Sequence, residues 1–333
     1  MPMPLFPAVD MRYDIRADEL MAAVAGLAEP VVFKGAVADW PAVKQAQIST
    51  DALIDYLKAC DNGQPAETFR QMPGGDGKYF YGVDPHAFNF QRASLPIQVT
   101  LERLRGLDAE PIYIQSALLK DYMPRFKVEN LLPGLTAEPR IWIGNRSLTQ
   151  THFDINYNLA CMVGGHKRFV LFPPTQTGNL YMGPIETTVS GVPTSMASLE
   201  NPDFERHPRF AEALKAAVVA DLEPGDVLYV PYMWWHHVSS SGGFNVQVNY
   251  WWNTAGPEMG VPMQALLHAM LSLRDLPPDQ NAAWKAMFDQ FVFHQGGDTG
   301  AHLPPEVRGI LGDIEPESRK LIRRRIGQSL TED

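Results

Sequence analysis

The chain has 333 residues, 45% of them apolar, enough for a sizeable core and against general disorder. Its 38 acidic residues outweigh 28 basic ones, giving a formal charge of -10, so a nucleic-acid partner is disfavoured unless lysines and arginines gather on one face. The two cysteines, Cys60 and Cys161, stand outside any CxxC arrangement, which predicts a cytoplasmic, reduced protein with both thiols in the core.

The opening MPMPLFPAVDMRYD has no basic region followed by an apolar stretch, and no run approaches a membrane-spanning length, so neither a secretory leader nor a membrane span is expected. Residues 18–27 (DELMAAVAGL) predict a short helix capped by Asp18. PVVFKGAV predicts a strand, and STDALIDYLKA from Ser49 a second helix with Leu53, Ile54 and Leu57 in one stripe. Residues 62–82 are rich in Gly and Pro and read as loop with a short strand at 78–81. A helix is expected at 95–104. In EPIYIQSALL, Ile112, Ile114 and Ser116 alternate with Tyr113, Gln115 and Ala117, a strand in which Tyr113 and Gln115 share a face. RIWIGN is another strand, its Trp142 open to a core or a site role.

The stretch from Asn158 to Phe172 reads as strand, Gly164-Gly165 turn and strand, because paired glycines take the positive φ angles of tight hairpins. Residues 175–202 carry no pattern, and 210–219 predict a helix. Pro224-Gly225-Asp226 turns into VLYVP, and GFNVQVNYWW from Gly243 closes the strand-rich part, which suggests a small antiparallel barrel or double-sheet roll. After Thr254, residues 261–273, 279–293, 304–314 and 316–326 all read as helices with an apolar stripe. Leu266, Leu267, Met270, Trp284, Phe288 and Phe291 fit a seam, either within the chain or against a second copy.

His152 and Asp154 are two apart, so on a strand they leave the backbone on one side and can grip one ion. A third donor is available in PGDVLYVPYMWWHHV, from either His236 or His237, which face opposite ways on a regular strand. Two imidazoles and one carboxylate suit Fe(II) and leave coordination positions open, unlike a structural metal. Structural histidines packed beside Trp234 and Trp235 are the competing explanation. Of Lys167 and Arg168 only one can point inward; an inward Lys167 would call for a carboxylate ligand. Thr149 stands just ahead of the metal pair, and Tyr113, Asn158 and Asn249 are polar groups on strands, available to orient a cosubstrate.

THFDINYNLACMVGGHKRFVLFPP, EPGDVLYVPYMWWHHV and NVQVNYWW together resemble the JmjC and cupin-like Fe(II)- and 2-oxoglutarate-dependent oxygenases, especially the branch of the asparaginyl hydroxylase of hypoxia-inducible factor. The resemblance covers residues 28–254 and implies a mainly β fold: a double-stranded β-helix, or jelly roll, with N-terminal α/β additions and a C-terminal helical segment. It implies an oxygenase domain over residues 1–256 and a dimerisation segment over 257–333, forming a homodimer. It assigns His152, Asp154 and His236 to iron, Lys167, Thr149 and Tyr113 to the distal carboxylate of 2-oxoglutarate, and Asn158 and Asn249 to its proximal end.

The implied reaction couples O2 and 2-oxoglutarate to hydroxylation of a C–H bond, with succinate and carbon dioxide as coproducts; a protein or peptide is the expected substrate. N-methyl-lysine demethylation, oxidation of RNA through the basic run Arg319 to Arg325, and a catalytically silent metal-binding cupin acting as an interaction protein are the alternatives.

Overall fold

The computed structural model describes residues 5–71, 76–84, 86–106, 110–135, 137–189 and 191–330. The chain divides into two units, Met1–Thr254 and Ala255–Asp333, beside the 256/257 boundary expected from sequence. The first unit opens with β1 (Asp10–Arg12), α1 (Leu20–Val24), β2 (Val31–Phe33), α2 (Pro41–Ile48) and α3 (Thr50–Cys60). Next come β3 (Pro65–Gln71), β4 (Lys78–Tyr79), β5 (Phe90–Pro96), α4 (Ile97–Leu104), β6 (Ile112–Leu118) and α5 (Leu119–Tyr122). The rest is β7 (Arg140–Gly144), β8 (Ser147–Phe153), β9 (Tyr157–Phe172), α6 (Phe210–Lys215), β10 (Val218–Leu222), β11 (Val227–Val230) and β12 (Trp235–Trp252).

The strands run in the order β1-β2-β11-β9-β12-β7-β6-β3-β5, with β10 on β9 and β8 on β12. Pairing is antiparallel except for β1 with β2 and β4 with β8. This is the mainly β roll expected, and β9 and β12 are its spine. They pair from Tyr157↔Trp252 to Phe172↔Trp235, so β9 is one strand where a hairpin was predicted. The glycine pair bends it instead of reversing it. Gly165 has φ +80°, and a Cβ there would lie 2.3 Å from the Phe244 carbonyl, while a Cβ on Gly164 would lie 2.4 Å from the Leu53 side chain. Beyond the bend β9 changes neighbours, from β11 to β10, and β12 changes from β7 to β8.

Period-two alternation then separates core from cavity. On β12, Val246, Val248, Tyr250 and Trp252 enter the main apolar core while Gln247, Asn249 and Trp251 face the cavity. On β6, Ile112 and Ile114 are core, and Tyr113 and Gln115 line the cavity; Trp142 of β7 lines it too and also packs in a buried aromatic cluster. The first part of β9 is buried on both faces, Leu159, Cys161 and Val163 in the main core, Ala160 and Met162 in a second one.

Ser49 caps α3 by accepting from the Ala52 N–H at 3.0 Å, and Leu53, Ile54 and Leu57 are buried as predicted. Asp18 does not cap α1; it sits inside a 3-10 turn, Ala17–Glu19, that precedes the helix. Within the stretch expected to be loop, β3 forms; residues 72–75 lie outside the described residues. The strand β5 and helix α2 also lacked a sequence reading, and the helix expected to 219 ends at Lys215, where β10 takes over. Both Cys60 and Cys161 are buried and unbridged.

The second unit holds α7 (Pro262–Leu273), α8 (Pro278–Phe291) and α9 (Pro316–Ser329). Residues 304–314 make two 3-10 turns, Pro305–Val307 and Gly309–Leu311, in place of the predicted helix, consistent with the glycines at 309 and 312. Neither α7 nor α8 has a buried residue, so the six seam positions form no core within the single chain. Among the described residues no helix is long and apolar enough to cross a membrane.

Candidate metal centre

Because β8 and β12 are neighbours, His152 stands directly opposite His236, with ring centroids 4.3 Å apart. Asp154 follows the end of β8, its carboxylate 3.7 Å from His236 Nε2, and its carbonyl is tied to the Met233 N–H at 3.1 Å. One ligand-capable atom from each of the three residues lies within 4.8 Å of the others. His152 Nδ1 is 2.9 Å from the Gln150 carbonyl and His236 Nδ1 is 3.0 Å from the Trp234 carbonyl. A carbonyl only accepts, so each Nδ1 carries the proton and each Nε2 keeps a lone pair for an ion.

Electrostatics point the same way. Burial, then the neighbouring His236, push His152 down to about 3, which holds it neutral. Burial raises Asp154, and the His236 ring and the Trp251 indole offset part of that shift. Neutral imidazoles and a carboxylate short of positive charge fit a divalent cation.

His237 is excluded as a ligand by direction. It points to the other face, where its Nε2 lies 2.7 Å from Glu200. Burial would raise Glu200, but the bond and charge of His237 prevail and hold it at about 2.

Lys167, not Arg168, faces inward. Arg168 pairs outside with Asp221 through two bonds of 2.7 and 2.8 Å. Lys167 is 3% exposed, and burial lowers its pKa to about 7. Among the described residues no acid lies within ion-pair distance of it, and the Tyr113 ring has its centroid 5.9 Å from Nζ. Thr149 stands beside the Tyr113 phenol, whose pKa burial raises. A buried amine keeps its charge only if an anion joins it. Lys167, Thr149, Tyr113, Asn158, Asn249 and the three ion-binding residues all line one cavity.

Sequence reasoning missed other cavity residues. Gln247 and Trp251 follow from the alternation that places Asn249, so their signal was present. Tyr79, Val189 and Val192 had none. The two valines ride on a strap in the unpatterned stretch 175–202. The strap is tied down by Ser195 N–H to Thr151 O (2.7 Å), Gln150 Nε2 to Ala197 O (2.8 Å) and Tyr81 Oη–H to Thr187 O (2.6 Å).

Known proteins resemble part of this chain in sequence. The chain is 38% identical over 106 residues to lysine-specific demethylase JMJ31 of Arabidopsis thaliana, 32% of this chain and 19% of that protein. It is 41% identical over 116 residues to human HSPB1-associated protein 1, 34% of this chain and 23% of that one. It is 39% identical over 102 residues to tRNA wybutosine-synthesizing protein 5 of Gallus gallus, 31% of this chain and 29% of that protein. The matches thus span less than a third of these relatives' own length. Residues 17–257, most of the chain and nearly all of the first unit, match the family described as the cupin-like domain. With its roll, its paired spine strands and its His-Asp-His cluster, the chain belongs to the cupin-like, JmjC-type family.

Proposed function

We propose that this protein is an Fe(II)- and 2-oxoglutarate-dependent oxygenase that hydroxylates a C–H bond of a protein or peptide. One observation carries the reading: three ion-binding side chains converge in the same cavity as a buried lysine that has no acid partner. His152, Asp154 and His236 hold the iron. Lys167, Thr149 and Tyr113 hold the distal carboxylate of the diacid, as a buried ammonium flanked by hydroxyls does well. Asn158 and Asn249 lie by its proximal end. Phe169 and Val238, with Trp142, Val189 and Val192, wall off water. Iron, 2-oxoglutarate and O2, when bound, supply the oxidising chemistry that ends in succinate, carbon dioxide and hydroxylated product.

The test is anaerobic loading with Fe(II) and 2-oxoglutarate, then exposure to oxygen with candidate peptides and mass analysis. Gain of one oxygen atom coupled to succinate supports hydroxylation; formaldehyde release would reassign the protein to demethylation. Iron-loaded protein that forms no succinate across broad peptide and RNA panels would point to a silent metal-binding cupin.

RNA is the second reading, favoured by α9. Arg319, Arg323, Arg324 and Arg325 of that helix form no ion pair among the described residues, and one relative is named for tRNA modification. The same proposal makes the protein a cytoplasmic homodimer joined through its C-terminal helices. The buried, unbridged thiols support the first part, and the exposed apolar faces of α7 and α8 support the second.

A further inference from the structure

Thr149 and His152 are three residues apart on β8, and on a regular strand such residues point to opposite faces. Both line the cavity. The register shows how: β12 pairs His236 with His152 but Val238 with Thr149, so Gln150 and Thr151 together face the single residue His237. This is a β-bulge, one residue extra on β8, and it turns the diacid end and the metal end of the strand to the same side. A bulge interrupts the regular ladder, so other bonds must hold it. The strap supplies them. Gln150 and Thr151 are 1% and 0% exposed. Ser195 N–H donates to the Thr151 carbonyl at 2.7 Å, and Gln150 Nε2 donates to the carbonyls of Ser195 (3.0 Å) and Ala197 (2.8 Å). Those acceptors are themselves fixed, because Ser195 Oγ–H donates to the Leu180 carbonyl and Oγ accepts from the Ala197 N–H at 3.1 Å. Two acceptors set the direction of the Gln150 amide, since a reversed amide would bring its oxygen against two carbonyls. The backbone carbonyl of the same residue faces His152 Nδ1 at 2.9 Å.

We propose that Gln150 is a positioning residue for the metal: by fastening the β8 bulge to the strap, it holds its own carbonyl where the His152 Nδ1–H donates, and so presents His152 Nε2 to the ion. The assignment rests on the metal-binding part of the function proposed above and not on the reaction. Without the grip of the side chain, the bulge is free to slip towards regular pairing. A slip of one residue would turn either Thr149 or His152 away from the cavity.

The experiment titrates Co(II), whose visible absorption reports the geometry of its ligands, into full-length wild type, Gln150→Met and Arg92→Met. In the first variant methionine keeps the length of the side chain and removes its donors; affinity for Co(II) should fall about tenfold and the absorption bands should move. The second cuts a different tie of the strap, from Arg92 on the edge strand β5 to the Val189 carbonyl at 3.2 Å, and should bind Co(II) as wild type does, with the same spectrum. Wild-type affinity and spectrum in Gln150→Met, or equal changes in both variants, would overturn the assignment. Another readout needs no variant. Coupling between sites is reciprocal, so Zn(II) bound to wild type should slow amide hydrogen exchange over residues 194–197 by about fivefold or more, and unchanged exchange there would equally overturn it. Wild-type protein that takes up neither ion would overturn the proposed function and this assignment with it, an outcome visible before any variant is made.

Discussion

The two units of this chain break opposite rules of burial. In the first, Lys167, Asn158, Gln247 and Asn249 are polar yet all at most 5% exposed. In the second, Leu266, Leu267, Leu271 and Trp284 are apolar yet 43 to 76% exposed. A buried polar wall leaves donors and charge waiting for a small ligand; an exposed apolar face leaves area waiting for a macromolecule. The contrast teaches where to look for each kind of partner.

Experiments can break or sharpen that contrast, and the most drastic acts at the metal. Asp154→Ala should reduce succinate formation by more than about 100-fold, since losing even an outer partner of a metal ligand can reach that figure. Circular dichroism should remain that of wild type, because Asp154 lies outside both apolar cores. Lys167→Met should weaken 2-oxoglutarate binding by about 10- to 100-fold, the worth of a hydrogen bond to a charged group. The same variant should stabilise the ligand-free protein by about 1–2 kcal/mol in denaturant titrations, as a charge held for function is given up.

The pH dependence follows from the lowered lysine. Its folded pKa of about 7 lies under the ordinary 10.5, so the amine weakens the fold fully below pH 7 and ceases to as pH rises to 10.5. The stability advantage of Lys167→Met should shrink across that window. Wild-type affinity for 2-oxoglutarate should fall as pH climbs above 7, because binding then requires taking up a proton.

For the helical unit, Leu267→Asp with Trp284→Asp should halve the mass seen by light scattering while leaving iron uptake intact. The smallest effect is expected from Ser49→Ala, which removes a helix cap far from either partner site and should cost about 1 kcal/mol.

Much of the site was legible because its residues obey strand alternation. His152 and Asp154 do meet in one cluster, although Asp154 lies just past the end of β8 and not on the strand as expected, and the face shared by Tyr113 and Gln115 on β6 lines the cavity. The choice between His236 and His237 was not legible, since it depends on which face of β12 turns to the cavity and on a distant acid, Glu200. Lys167 was open for the same reason. The glycine pair misled because its positive φ serves a hairpin and a bend alike; only the long partner strand β12 decides between them. Strand β5 was hidden because only its first residue, Phe90, is buried, which leaves little alternation to read.

The strap that carries Val189 and Val192 touches the cavity from a stretch separate from every metal-binding and diacid-binding side chain. Several of its ties run from its backbone carbonyls to side chains of the roll, while Leu180, Thr194 and Ser195 are buried and Glu200 pairs with His237, so its exposed positions are the ones that can be exchanged. A scaffold arranged this way can acquire new guests by rewriting about a dozen loop positions. Grafting its exposed positions between relatives should therefore change what the cavity admits while the His152-Asp154-His236 cluster stays as it is.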